Sequence, residues 1–405
     1  MKVDTMRDID YYAGVPLCFL ATIVIKAKEL IFGSKKASVK KVLLIELSEM
    51  GSAILVDPAM EKIKNTLKGE LFFVIFKKNK PSLDLLGTVH QENIFTIRED
   101  SLLNLAIDTL RFLLWTRTKK IDSVIDLELF SRFTALLTGF SGASNKVGFH
   151  AFHNEGLYRG DFLTHKVAYN PHIHISKTFI ALVNALMSKD REVPYSKTTI
   201  DDSEIRLKKV SFSDNEKNEI REIISKNYPD YDVKKDKIVL INPNASELLP
   251  HRRWPMNKYA ELVKKILELD RQFLVLITGS PEERAEAANL IESIGSERCI
   301  NFAGGVKFLQ LPVLYSISEF MVSNDSGPGH FSSITDMPTF VLFGPETPKL
   351  YGSLGNSTPI YAGLACSPCV SASNHRKTAC KDNVCMQAIS TDMVMEAVKK
   401  DYQTL

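Results

Sequence analysis

A chain of 405 residues is too long for one typical hydrophobic core, so two domains are expected. Apolar residues at 44% and charged residues at 24% mark an ordinary globular protein, and a net charge of +3 is too small to argue for a nucleic-acid partner. No run of about 18 uncharged apolar residues occurs, so a membrane-crossing helix is not expected.

Residues 15–25 are almost wholly apolar, and Lys26, Lys28, Lys35, Lys36, Lys40 and Lys41 follow against Glu29 alone. The run is too short to span a bilayer, lacks a small-residue cleavage site and is preceded by acidic residues, which argues against a signal peptide. It fits an amphipathic segment, residues 1–40, lying on an anionic cytoplasmic leaflet. That reading makes the protein cytoplasmic and peripheral on the inner face of the cytoplasmic membrane. A helix packed on the protein's own core is the alternative.

Residues 41–46 form a compact apolar strand, and the turn Ser48-Glu49-Met50-Gly51 leads into a helix over 52–67. Strands follow at 71–76, 94–97, 124–127 and 146–149, with helices at 102–115 and 129–137 between them. Strands alternating with helices predict a mostly parallel, doubly wound sheet over residues 41–189. Residues 150–174 are polar, aromatic and rich in His, Asn, Tyr and Gly, and read as a long functional loop before a helix over 176–187.

Residues 190–236 are charge-rich and read as a linker carrying one strand-like piece and a helix near 213–226. A second doubly wound domain is expected over 237–390. Its strands are at 238–242, 273–278, 299–302, 319–323 and 339–343, with helices at 258–269, 282–294 and 309–316. A last helix, within residues 391–405, is expected to pack back toward the first domain.

The most informative stretch is Ser323-Asn324-Asp325-Ser326-Gly327-Pro328-Gly329-His330. An apolar strand feeds a turn of small and polar residues, and a helical run begins at Phe331. Unpaired backbone N–H groups, the positive end of a helix dipole and small side chains together admit a phosphate. The bland alternative is a capped helix after an ordinary turn. A second strand, 338–343, ends in Gly344-Pro345-Glu346-Thr347-Pro348, so both loops lie beyond the carboxyl ends of neighbouring strands, where open α/β sheets bind ligands.

These motifs resemble glycosyltransferase family 9, the ADP-heptose:lipopolysaccharide heptosyltransferases. The likeness extends to Pro243-Asn244-Ala245-Ser246, Arg252-Arg253-Trp254-Pro255, Leu276-Ile277-Thr278-Gly279 and Asn301-Phe302-Ala303-Gly304, and to the first strand with Met50-Gly51 and Pro58-Ala59. The resemblance implies an α/β fold of GT-B architecture, two Rossmann-like doubly wound domains facing a cleft. It also implies an inverting, metal-independent glycosyltransferase with no catalytic cofactor. Such an enzyme takes a nucleotide-diphosphate sugar, ADP-heptose-like, and a lipid-linked or lipopolysaccharide-type glycan acceptor. A non-catalytic nucleotide-sugar-binding or membrane-associated assembly protein is one alternative, and a sugar-nucleotide epimerase of similar form is another.

For the donor phosphates the candidates are Asn244, Ser246, Arg253, Asp325, Ser326, Gly327, Gly329 and His330, since a guanidinium donates two parallel bonds to a phosphate. Gly279 and Glu283 are candidates for the nucleoside, with Glu283 equally readable as a first-turn acid answering the helix dipole. In the family the first-domain turn reads Gly-Asp and that acid is the base. Here Ser52 follows Gly51, and a serine lacks the basicity, so Glu49 in the same turn is the candidate catalytic base. Glu128, Arg132, Tyr158, Arg159 and His165 mix charge and aromatic surface suited to an anionic glycolipid acceptor. Cys366, Cys369, Cys380 and Cys385 fall within twenty residues and fit a structural zinc site as well as they fit reduced, metal-free thiols.

Overall fold

The computed structural model describes residues 3–33, 38–48, 50–246 and 249–402. The chain divides into two compact units, Met1–Arg206 and Leu207–Leu405.

The first unit runs α1 (Val3–Tyr12), α2 (Gly14–Phe32), β1 (Lys41–Ile45), α3 (Met50–Lys62), β2 (Glu70–Phe76), α4 (Pro81–Leu86), β3 (Ile94–Ile97) and α5 (Leu102–Thr118). It continues with β4 (Ser123–Asp126), α6 (Arg132–Phe140), β5 (Asn145–His150), β6 (His165–Ala168) and α7 (Ile175–Met187). The six strands pair in parallel in the order β3-β2-β1-β4-β5-β6. Helices cover both faces of such a sheet, so its central strands are continuous apolar runs such as Val42-Leu43-Leu44-Ile45, all fully buried. Ser101 caps α5 by accepting from the Asn104 amide at 3.2 Å, which sets where that helix begins.

The second unit runs α8 (Asp214–Asn227), β7 (Lys237–Asn242), α9 (Met256–Leu269), β8 (Phe273–Ile277), α10 (Arg284–Ile294), β9 (Cys299–Asn301) and α11 (Leu311–Ser316). Then come β10 (Phe320–Asn324), α12 (Gly327–Phe331), β11 (Thr339–Phe343), α13 (Pro348–Tyr351), β12 (Ser357–Tyr361), α14 (Val384–Gln387) and α15 (Thr391–Tyr402). The order is β12-β11-β10-β7-β8-β9, again all parallel. On α9 the buried positions Tyr259, Leu262, Val263 and Ile266 recur at helical spacing, and they close a core with Trp254, Phe273 and Phe340.

Counted from its own first strand, each sheet has the order 3-2-1-4-5-6. Each therefore has one point where the order reverses: between β1 and β4 in the first unit, and between β7 and β10 in the second. Ligands bind outside the carboxyl ends of strands at such points.

Three sequence expectations need correction. The stretch 150–174 is not wholly a loop, because β6 pairs with β5 there; its two small, polar-flanked turns hide a four-residue strand. Residues 190–236 are not a detached linker: α8 packs on α11, with Ile220 and Ile224 buried. The final helix α15 packs on α9 of its own unit, where Val394, Met395 and Val398 join the core and the Tyr402 hydroxyl meets Lys237 Nζ at 2.9 Å.

Candidate functional site

At the reversal point of the second unit the strand ends open onto a cavity of about 390 Å³. One wall is the loop after β7, with Asn244, Ala245 and Ser246, joined by Arg253. The turn Ser326-Gly327-Pro328 forms another, and Gly279, Ser280 and Glu283 at the end of β8 close a third. Its apolar lining comes from Phe302, Val306, Phe308, Leu311, Tyr315 and Phe331. A polar entrance beside a phosphate-type turn and an aromatic recess suits a nucleotide.

Asn324, which the sequence reading passed over as a turn residue, holds this arrangement. Its Nδ2 donates to the Pro243 carbonyl at 2.7 Å, and its Oδ1 accepts from the Trp254 amide at 3.1 Å and the Tyr259 hydroxyl at 3.0 Å. One fully buried amide thus ties the end of β10 to the β7 loop and to the start of α9. The Asn244 side-chain oxygen is buried with no hydrogen-bond partner among the described residues, so a ligand donor would satisfy it. Arg253 donates to the Ala245 carbonyl at 3.1 and 3.3 Å, which points its guanidinium along the cavity wall. Space favours glycine at Gly327, and at Gly279 a larger residue would displace the Glu283 carboxylate. A Cβ on Gly279 would lie 2.7 Å from the Glu283 carboxylate, and one on Gly327 would lie 2.9 Å from the Phe331 ring.

Of the ten donor-side residues expected from sequence, Asn244, Ser246, Arg253, Gly279, Glu283, Ser326 and Gly327 line the cavity. Asp325, Gly329 and His330 do not. They are buried behind the turn, where Asp325 joins Glu346 and Arg252. Arg252 Nη1 lies 3.6 Å from Asp325 and 3.4 Å from Glu346, and Arg376 Nε lies 3.2 Å from the other Glu346 oxygen. Burial raises both carboxyls: Glu346 is pushed up to about 8, and Asp325 is raised as well. The pair therefore keeps a proton near neutral pH, and two arginines beside it leave net positive charge under the phosphate turn. Glu283 also accepts from the Ser280 amide at 2.7 Å, so the first-turn cap is its structural role and the cavity wall its second.

In the first unit the reversal point carries the turn after β1 and the end of β4. Glu49 lies outside the described residues. Glu128, expected at the acceptor, instead holds that turn: its Oε1 accepts from the Leu47 amide at 2.8 Å, the Ser48 amide at 3.1 Å and the Ser48 hydroxyl at 2.7 Å. Arg132 is 1% exposed and is spent on Asp10 and on the Gly156 and Tyr158 carbonyls, so an acceptor does not reach it. Arg159 is likewise buried, in an ion pair with Asp126 whose carboxyl burial pushes up to about 6. Both arginines are corrections to the expected acceptor set; a guanidinium with internal carbonyl and carboxylate partners is a fastener. Tyr158 remains exposed, and His165 packs on Tyr195 with ring centroids 4.8 Å apart, burial lowering its basicity.

Cys369 and Cys380 lie close enough to Cys385 to help burial raise its thiol. Among the described residues no three His, Cys, Asp or Glu side chains are grouped so as to hold a metal ion. Cys366 is exposed, Cys385 is buried against Gly344, and Cys369 and Cys380 meet Thr378 and Asp382 at 3.5 and 3.3 Å.

The model of glycosyltransferase family 9 (heptosyltransferase) matches residues 113–379, well over half of the chain. The chain belongs to glycosyltransferase family 9. Among similar proteins is lipopolysaccharide heptosyltransferase 2 of Salmonella typhimurium, 29% identical over 119 residues; the match takes in 29% of this chain and 34% of that protein. Lipopolysaccharide heptosyltransferase 1 of Campylobacter coli is 23% identical over 377 residues, covering 89% of this chain and 98% of that one. The solved E. coli ADP-heptose lipopolysaccharide heptosyltransferase II superposes with a TM-score of 0.65 at 17% identity, over 89% of this chain and 98% of that one, which shows a shared family fold of GT-B type. Against the Salmonella protein the matched stretch spans only about a third of its length.

Proposed function

We propose that this protein transfers a heptose-like sugar from a nucleotide-diphosphate donor to a lipid-linked or lipopolysaccharide-type glycan. It does so with inversion, without a catalytic metal, at the inner face of the cytoplasmic membrane. The observation that carries the reading is the cavity at the β7–β10 reversal point, whose wall combines a phosphate-type turn with an aromatic lining, in a chain of this family.

The donor's diphosphate lies against Ser246, Arg253 and the amides of Ser326 and Gly327, and its nucleoside enters the recess beside Gly279 and Glu283. As the sugar–oxygen bond breaks, negative charge grows on the leaving diphosphate, where Arg253, the buried Arg252 and the part-exposed Arg376 stabilise it. Charge compensation by fixed arginines is what supports a metal-independent reaction. Glu49 accepts the acceptor hydroxyl's proton, and a single displacement from the opposite face inverts the anomeric carbon. Glu128 keeps the turn before Glu49 in place.

The test is calorimetric titration with ADP, UDP and their sugar conjugates, followed by a transfer assay on a truncated lipid-linked glycan. Binding of one nucleotide sugar with turnover is the expected result. Replacement of the family's turn acid by Ser52 favours a second reading, a binding protein without turnover, and donor binding with no transfer to any glycan would establish that reading instead.

A further inference from the structure

Among the described residues, most of the exposed large apolar side chains sit on four helices of the first unit, α1, α2, α5 and the end of α6. We propose that these helices form one membrane-contacting face that lies on an anionic bilayer, with α5 as its second footing. This deepens the reading that the enzyme works at the inner face of the membrane and rests on it only for which membrane is meant.

On α2 the buried positions Gly14, Cys18, Ala21 and Ile25 form one narrow strip against Ala135 and Phe162. At about 100° per residue the exposed Leu17, Phe19, Leu20, Ile23, Val24 and Ile31 spread over roughly 160° on the opposite side. The polar residues fall at the two borders of that arc, Lys28 on one side and Thr22 and Lys26 on the other. A helix apolar on nearly its whole circumference is normally buried. Here its outer side is open, and no described helix is long and apolar enough to cross a membrane.

The sequence pointed to α2 but not to α5. On α5, Leu103, Leu110 and Leu114 are 70%, 64% and 67% exposed and lie within one stripe, at spacings of seven and four. Arg111 and Arg117 flank that stripe. The two helices belong to one face of the sheet, because α6 packs against both, and Met6 of α1 packs on the core beside Leu105 and Leu113 of α5. Arg117 Nη2 donates to the Phe140 carbonyl at 2.9 Å, and a Cβ on the neighbouring Gly139 would lie 3.1 Å from Ile25 of α2, so the last turns of α5 and α6 adjoin the second half of α2.

The chemistry favours lipid over a protein partner. The hydroxyl of Thr22, the polar side chain within the apolar run of α2, is spent internally on the Cys18 carbonyl and the Asp161 amide. The face thus offers almost no directional hydrogen bonds, whereas a protein interface carries about one per 100–200 Å². With Lys26 paired to Asp161, Lys28, Arg117, Lys119 and Lys120 still outnumber Glu29 near where the three helices adjoin, which complements anionic headgroups. Long basic side chains at the borders of an apolar arc, with Tyr11 and Tyr12 at its margin, fit an acyl–headgroup boundary.

The test uses the full chain and co-sedimentation with vesicles of phosphatidylglycerol and phosphatidylcholine, against phosphatidylcholine alone. Binding to the anionic vesicles, weakened by salt, is expected. The double variant L110S/L114S, in which both changes are at exposed positions, should lower vesicle partitioning on the order of tenfold. Calorimetric donor binding and transfer to a short soluble acceptor should stay at the wild-type level, which separates failure of this proposal from failure of the transferase reading. Undiminished partitioning of the double variant would overturn the role of α5. A concentration-dependent dimer, lost in L110S/L114S and accompanied by no vesicle binding, would assign the face to a second copy of the chain.

Discussion

At the scale of single residues, the proposed mechanism separates charge held in advance at the second reversal point from a proton acceptor, Glu49, in the first unit. Glu49→Gln keeps the side chain's shape but removes its basicity, so turnover should fall about 100-fold or more, the usual scale for losing a general base. Donor affinity by calorimetry should be unchanged, and near-normal turnover would move the base elsewhere. Beneath the phosphate turn, Glu346 retains a proton up to about pH 8. As pH rises through that value the second negative charge appears beside Arg252 and Arg376 and cancels their field. Donor affinity should therefore weaken from pH 7 to pH 9. In Glu346→Gln, which cannot ionise, the titration should be flat; a wild-type slope in that variant would exclude the pair as its source.

At the scale of elements, turns and helix ends are fixed by groups far away in sequence. Asp10 on α1 accepts from the amides of Arg132 and Phe133, both at 2.9 Å, and so caps the N-terminus of α6 more than a hundred residues on, while also pairing with Arg132. Asp10→Ala loses the cap and leaves a buried guanidinium short of a partner. It should cost about 3 kcal/mol or more in urea unfolding. In the phosphate turn, Gly327→Val drives a branched side chain into the Phe331 ring. Overpacking of this kind costs about 1–3 kcal/mol of stability in urea unfolding, and a branched side chain over the turn's amides should lower donor affinity in calorimetry of the protein that still folds. The need for small residues in this turn was readable from Asp325-Ser326-Gly327-Pro328 alone. Which of them face the cavity was not, because Asp325 is turned to Arg252 and Glu346 from loops elsewhere in the chain and His330 is buried.

At the scale of the whole molecule, buried ionisable groups in both units set how stability follows pH. The carboxyls of Asp126 and Glu346 are raised by burial to about 6 and about 8, so between ordinary carboxylate values and those points the folded state binds more protons than the unfolded one. Stability consequently declines as pH rises through that window. Asp108 and Asp161 have the opposite sign: they are held down at about 2, Asp108 by Arg98 and Asp161 by Lys166 and Lys26 against its burial. Their contribution is present above the ordinary range and disappears as pH falls toward 2. The lowered His150 and His165 also cost stability once pH drops below the usual histidine value, since the unfolded chain then takes up protons that the folded one resists. Thermal unfolding should therefore show a maximum in Tm at mildly acidic to neutral pH. Glu346→Gln should remove part of the alkaline decline.

What the sequence determined by itself is the local and the periodic: two series of buried parallel strands, the helices between them and the anion-type turn. A strand covered on both faces must be a continuous apolar run, and a phosphate turn must be built from small residues, so both are written in consecutive letters. Four-residue β6 and the polar β12 escaped, having neither a long run nor clean alternation. Only the tertiary structure decided the strand order that creates the two reversal points, the fastening roles of Arg132, Arg159, Glu128 and Asn324, and the open outer side of α5. An arginine or asparagine reads identically whether it meets solvent, ligand or a carbonyl from a distant strand, because the partner that fixes its role lies tens of residues away and is brought near only when the sheet closes.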